Sequence, residues 1–447
     1  MRTISYGYFL LLTIFSSALL GILSPVSVRA ENTESMPDVF FGADIAYGGL
    51  NEIKQLADEV GSYTNLFVLG CTAVTQNRLE LEEACQYLFD KGLFFIIYQD
   101  YPLDLTWFSS ANSSWLQIAK TRWGNHFLGF YYVDEVGGRQ LDLYPKWTIV
   151  SNADSYANAS SQFNSRISES VNWFRNSYSG GEEVSLFMSD YALYWFDYQA
   201  GYDVLLAQFG WNYSRQLNVG LCRGAATAQN KDWGVIITWT YSHPPYIESG
   251  AELYTDLLLA YDNGAKYISV FNSNKEYSGG ILEQEHLDAL KRFWQYSQQN
   301  PRKASPVSER IAYVLPQDYA YGFRGPNDKI WGLWEADTLS TPISVNLHSL
   351  LQQYDSKLDI IYEDELGLGN TQEYSAIIQW NSSTLVSPSP SEMITNPLNP
   401  NQTGSPSPPL ENTFSSIPTL LVVIGGTFAV AAGFIVVIKR IRFKYIK

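Results

Sequence analysis

The chain has 447 residues, a formal charge of −16, and is 46% hydrophobic and 15% aromatic. Acidity on that scale excludes a nucleic-acid partner, whose phosphates need clustered Lys and Arg. Cys71, Cys85 and Cys222 are odd in number and scattered, which argues against a disulfide framework or a thiolate zinc site and reads them as small buried hydrophobes, a Cys71–Cys85 bridge being the alternative.

At the start, Arg2 precedes an apolar run from Tyr8 to Leu23, Pro25 ends it, and Val28-Arg29-Ala30 offers small residues to a signal peptidase. The run is interrupted by Ser16-Ser17 and is too short for a bilayer crossing, so residues 1–30 read as a signal peptide.

From 31 to 300, short apolar runs alternate with helical patterns. The runs are Val39–Asp44, Asn65–Gly70, Leu93–Gln99, Phe127–Val133, Val184–Ser189, Val204–Phe209, Gly234–Trp239 and Tyr267–Phe271. Strands that are apolar throughout belong to a parallel sheet covered on both faces. Eight strand–helix units of this size predict a (β/α)8 TIM barrel. The alternative, an open doubly wound sheet, would show a Gly-rich phosphate turn after its first strand, and Asp44-Ile45-Ala46-Tyr47-Gly48-Gly49 is not one.

Residues 301–385 predict a small α/β domain, with strands at Ile311–Leu315, Leu358–Tyr362 and Ser375–Gln379 and a helix at Pro342–Tyr354. An aromatic loop, Tyr319 to Trp334, lies between the first strand and the helix; it either covers the barrel mouth or packs between the two domains. Residues 386–416, rich in Ser, Pro, Thr and Asn, form an extended stalk. An uncharged apolar stretch, Thr419–Ile438, marks a transmembrane helix over 417–438, and the basic tail 439–447 stays cytoplasmic. The expected protein is therefore a single-pass cell-membrane protein with its N-terminal ectodomain outside. Sequons at Asn112, Asn158, Asn212, Asn381 and Asn401 are candidate glycan sites on such a chain.

In a TIM barrel the reacting groups sit at the C-terminal ends of the strands. Those ends carry Asp44, Asp100, Asp134-Glu135, Asp190, Gln208 with Trp211, Trp239 with Tyr241, and Asn272, Lys275 and Glu276. Carboxylates among aromatics suit sugar chemistry, since glycoside cleavage needs a carboxylic acid to protonate the leaving oxygen and usually a second carboxylate. Aromatic faces stack on sugar rings. No metal and no organic cofactor is implied. The candidate catalytic residues are Glu135, Asp134 and Asp190, and the candidate sugar-binding residues are Asp44, Asp100, Trp211, Trp239 and Tyr241.

The segment Gly129-Phe130-Tyr131-Tyr132-Val133-Asp134-Glu135 resembles the end of strand four in TIM-barrel glycoside hydrolases, many of which place an acid/base Glu there, often directly after Asn. Here Asp134 stands where that Asn would be. A barrel followed by a small α/β domain is also similar to the layout of some β-galactosidase-like families. The resemblance implies hydrolysis of a polysaccharide or glycan with Glu135 as the acid/base. One departure stands against it: those families carry a second Glu at the end of strand seven, and Gly234–Tyr241 has none, Glu248 lying further into the loop. The partner carboxylate is then Asp134, Asp190, Asp44 or Asp100, or Glu276 if the strand count shifts by one. Otherwise the barrel is non-catalytic and binds glycans or serves the cell envelope structurally. A receptor ectodomain is a third reading.

Overall fold

A computed structural model describes residues 36–99, 115–143, 146, 148–178, 183–302, 304–363 and 374–381. The chain divides into two compact units, 1–37 and 38–447, and the architecture below belongs to the second. The predicted signal peptide, stalk, membrane span and tail lie outside the described residues, as does Asp100. Among the described residues no helix is long and apolar enough to cross a membrane.

Eight parallel strands close into a barrel in chain order: β1 (Phe40–Ile45), β2 (Leu66–Leu69), β3 (Phe94–Gln99), β4 (Phe127–Tyr132), β5 (Ser185–Asp190), β6 (Val204–Phe209), β7 (Asp232–Ile237) and β8 (Tyr267–Phe271). Each of the eight predicted runs forms a strand. β7 begins and ends two residues earlier than expected, which moves Trp239 off the strand into the following loop.

Side chains alternate along each strand. Phe40, Leu66, Val68, Phe94, Ile96, Tyr131, Phe187, Val204, Leu206, Ile236 and Tyr267 fill the barrel interior. Their neighbours, such as Phe41, Phe67, Phe95, Met188 and Leu205, pack outward against the helices. Two short helices that no periodicity announces, Val136–Asp142 and Tyr194–Gln199, follow β4 and β5. All three cysteines are free and buried, as expected.

The small α/β part is a parallel sheet ordered β10–β9–β11, with β9 at Ile311–Leu315, β10 at Leu358–Tyr362 and β11 at Ala376–Gln379. It packs on the barrel helix Arg215–Ala228. A Cβ on Gly224 would lie 2.5 Å from the Ile360 carbonyl oxygen, so this close approach depends on glycine. An ion cluster pins the contact. Arg223 bonds Asp359 at 2.7 Å, Arg310 bonds it at 2.6 Å, and the Tyr374 hydroxyl donates to it at 2.9 Å. The aromatic loop packs against the barrel's helices: Trp331 is fully buried, with its ring 5.6 Å from Phe163 and 4.8 Å from Phe196.

Candidate active site at the barrel mouth

Where β4 ends, at Tyr132, the backbone leaves extended geometry. Val133 and Glu135 both adopt positive φ, 61° and 53°, a costly conformation for side chains of these shapes. The loop has therefore begun before Asp134, and the two adjacent acids are freed from the strand rule that would point them to opposite faces. Asp134 Oδ1 accepts the Tyr131 hydroxyl at 2.5 Å and the Ser189 hydroxyl at 2.9 Å. Gln208 Nε2 donates to Glu135 Oε1 at 2.8 Å and to Ser189 Oγ at 2.9 Å. Strands four, five and six thus supply one network of hydroxyl and amide donors that holds both carboxyls at the mouth.

The two acids differ electrically. Both are half-buried, and loss of solvent raises both pKa values. For Asp134 the Arg139 charge and two donated hydroxyls work against that rise. For Glu135 the Asp134 charge adds to it, pushing its carboxyl up to about 8 despite Arg139 and the Gln208 amide. Asp134 is the member that ionises first, and Glu135 keeps its proton at neutral pH. Two neighbouring carboxyls driven apart in this way is the arrangement that assigns acid and base roles.

Asp44, on the inward face at the end of β1, completes the group. It is 6% exposed, and its Oδ1 is buried with no hydrogen-bond partner among the described residues. Burial, then the Asp134 charge, hold it well above the ordinary carboxylate range. Tyr47 and Tyr277 meet edge-on at 4.6 Å in the loops after β1 and β8.

Asp190 is not part of this group. Phe187 and Ser189 face the lumen, so Asp190 faces the helical layer. There its oxygens accept four backbone amides: Gly137 at 2.6 Å, Gly138 at 2.8 Å, Tyr191 at 2.7 Å and Ala192 at 3.1 Å. The geometry gives it an anchoring role in place of the assisting catalytic role expected above. It fixes the start of helix Val136–Asp142 directly behind Glu135. The approach is so tight that a Cβ on Gly138 would fall 2.1 Å from the Tyr191 ring.

Of the aromatic candidates, Trp211 and Trp239 come together, half-buried, through a hydrogen bond from Trp211 N to the Trp239 carbonyl at 2.7 Å. Tyr241 lies apart, 39% exposed on the loop after β7. Glu248 is committed elsewhere: Arg215 bonds it at 3.1 Å and bonds Asp256 at 2.8 Å. Glu276 accepts the Tyr246 hydroxyl. Arg223 pairs with buried Asp359, away from the mouth network. Tyr131 and Ser189, which bond Asp134, are the members of this network that sequence reading missed. Their signal was a polar side chain at the last inward position of a strand.

No family model and no curated protein matches the chain. Solved structures similar to it include a GH5_18 protein from Streptomyces cattleya, at 10% identity over 76% of this chain and 98% of that one, with a TM-score of 0.47. The catalytic module of a family 98 glycoside hydrolase from Streptococcus pneumoniae TIGR4 matches at 9% identity over 77% and 66% of the two chains, with a TM-score of 0.41. A β-1,4-D-mannanase from Cryptopygus antarcticus matches at 12% identity over 57% and 90%, with a TM-score of 0.36. The chain's structural neighbours thus include TIM-barrel glycoside hydrolases, while its own barrel rests on the strand pairing described above.

Proposed function

We propose that the barrel hydrolyses a glycoside in an extracellular polysaccharide or glycan. The supporting observation is the Asp134–Glu135 pair, held by one network with its proton on Glu135. Glu135 gives that proton to the glycosidic oxygen as its bond to the ring carbon breaks. Ionised Asp134 steadies the positive charge that develops on that carbon. Water then bonds to the carbon and returns a proton to the pair. Trp211 and Trp239 offer aromatic faces to the sugar.

Replacing Glu135 by Gln in the full chain tests this. The amide keeps the shape and loses the transferable proton, so reducing ends released from a cleaved glycan should fall at least ~100-fold while the circular dichroism spectrum stays the same. Unchanged turnover would remove Glu135 from the mechanism.

A second reading, glycan binding without cleavage, is favoured by one observation: the described end of β7 supplies no carboxylate. A glycan that binds saturably but releases no reducing ends with the wild-type chain would select it.

We also propose that the protein is exported and held by its 417–438 segment. A stalk of about thirty residues would span ~30 Å as a flexible chain, letting the mouth reach material just outside the membrane. Resistance to extraction by alkaline carbonate is the expected behaviour. Release of the full chain into the soluble fraction would refute the anchor.

A further inference from the structure

We infer that the sugar recognised at the mouth carries an anionic group, a carboxylate or a sulfate, and that Lys275 holds it. This rests on the reading of the mouth as a glycan site. Lys275 lies in the loop after β8, half-buried, with its ammonium 5.7 Å from the Trp211 ring centre and 5.6 Å from that of Trp239. The loop is built rather than loose. Asn272 Oδ1 accepts the amides of Ile281 at 2.7 Å and Leu282 at 3.0 Å, and Trp239 Nε1 donates to the Ser273 carbonyl at 2.7 Å.

What sets Lys275 apart is a half-buried ammonium without a counter-charge, since Lys146, Lys291 and Lys357, which also lack one among the described residues, are exposed. Lys54, Lys91, Lys231, Lys266 and Lys329 each pair with a carboxylate. Lys275 has none among the described residues, although acidic residues outnumber basic ones 45 to 29 in this chain. Its neighbour Glu276 is turned to the Tyr246 hydroxyl instead. Two indole faces attract an ammonium but supply no formal charge. Withdrawing that ammonium from water beside them leaves a site complementary to an anion. An anion bonded to it would lie beside both indole rings.

The test uses the full chain in detergent micelles and matched trisaccharides on glucose, galactose, mannose and N-acetylglucosamine backbones. Each is presented neutral, as the uronate and as the 6-sulfate. The wild type should bind at least one charged member about tenfold more tightly than its neutral match, a difference of ~1.4 kcal/mol. Added salt should shrink that margin, and uronate and sulfate arms identify the source of the charge. Lys275→Met should erase the preference and leave neutral affinity and the circular dichroism spectrum unchanged, and Lys275→Arg should retain most of it. Equal loss for charged and neutral members, or no charged member preferred by the wild type, overturns the inference. Affinities are read with Glu135→Gln as well. A Glu135→Gln variant that still cleaves removes the hydrolytic mechanism and leaves the Lys275 comparison intact, whereas cleavage abolished by Glu135→Gln with no charge preference in the wild type removes the inference alone.

Discussion

Asp197→Asn should gain stability relative to the wild type as pH rises above about 4. Asp197 lies in helix Tyr194–Gln199 with no exposed surface, and neither carboxyl oxygen has a conventional hydrogen-bond partner among the described residues. Its neighbour is Asp190, whose oxygens are already taken by four amides. Burial pushes Asp190 up to about 7 although those donors lower it, whereas Asp197 has no such donors, so of the two Asp197 holds its proton more firmly. Burial, followed by the Asp190 charge, holds Asp197 well above its ordinary range. The unfolded chain releases that proton near ~3.9. Above that value the native state binds more protons than the unfolded state, so stability falls with rising pH until the native group itself ionises. One such proton is worth ~1.4 kcal/mol per pH unit over the range in which the native group stays protonated. Asparagine keeps the shape, can donate to Asp190, and does not titrate. Urea unfolding of both proteins at unit pH intervals gives the difference in stability directly, and the shifts of buried acids that do not touch Asp197 cancel in it. A difference that is flat with pH, or that moves against the variant, would refute the proton assignment.

Turnover should decline as pH rises past about 8, because Glu135 is pushed up to about 8 and loses the proton it must donate; kcat/KM measured against pH checks this, and an activity plateau extending beyond pH 9 would contradict it. Gly224→Ala should cost ~1–3 kcal/mol by forcing a Cβ to within 2.5 Å of the Ile360 carbonyl oxygen, whereas Gly325→Ala, where a Cβ meets nothing within 4 Å, should be near neutral in thermal unfolding. Arg223→Met should destabilise by roughly 3 kcal/mol, since it strips one of two cations from buried Asp359. Asp359→Ala should cost more, because it leaves Arg223 and Arg310 facing each other without a counter-charge, and urea midpoints for the two variants decide the order.

The barrel was legible because its strands are covered on both sides and must be apolar throughout, as in Phe94–Gln99 and Val204–Phe209. The helix Val136–Asp142 was not. Its Val-Gly-Gly start has poor intrinsic propensity. Asp190, from a different strand, satisfies the Gly137 and Gly138 amides that its own turn leaves open. The same contact explains why one predicted acid is an anchor: a carboxylate distant in sequence was needed to build the turn that aims Glu135.

Strand parity could have separated these acids in advance. Phe40 and Gly42 share the face of Asp44, and Leu206 shares the face of Gln208, so both residues point into the lumen, whereas Asp190 alternates with lumen-facing Ser189. Position at a strand end brings a residue to the rim, and parity decides whether it faces the reaction space or the helices. Asp134 and Glu135 escape that rule only because positive φ at Val133 and Glu135 breaks the strand. Nothing in the local sequence predicts that break, since neither residue favours the conformation. It depends on bonds reaching from β5 and β6, through Ser189, Asp190 and Gln208. The pair is therefore a product of the closed barrel, and loosening β5 should disturb the mouth's acid–base balance before it unfolds the chain.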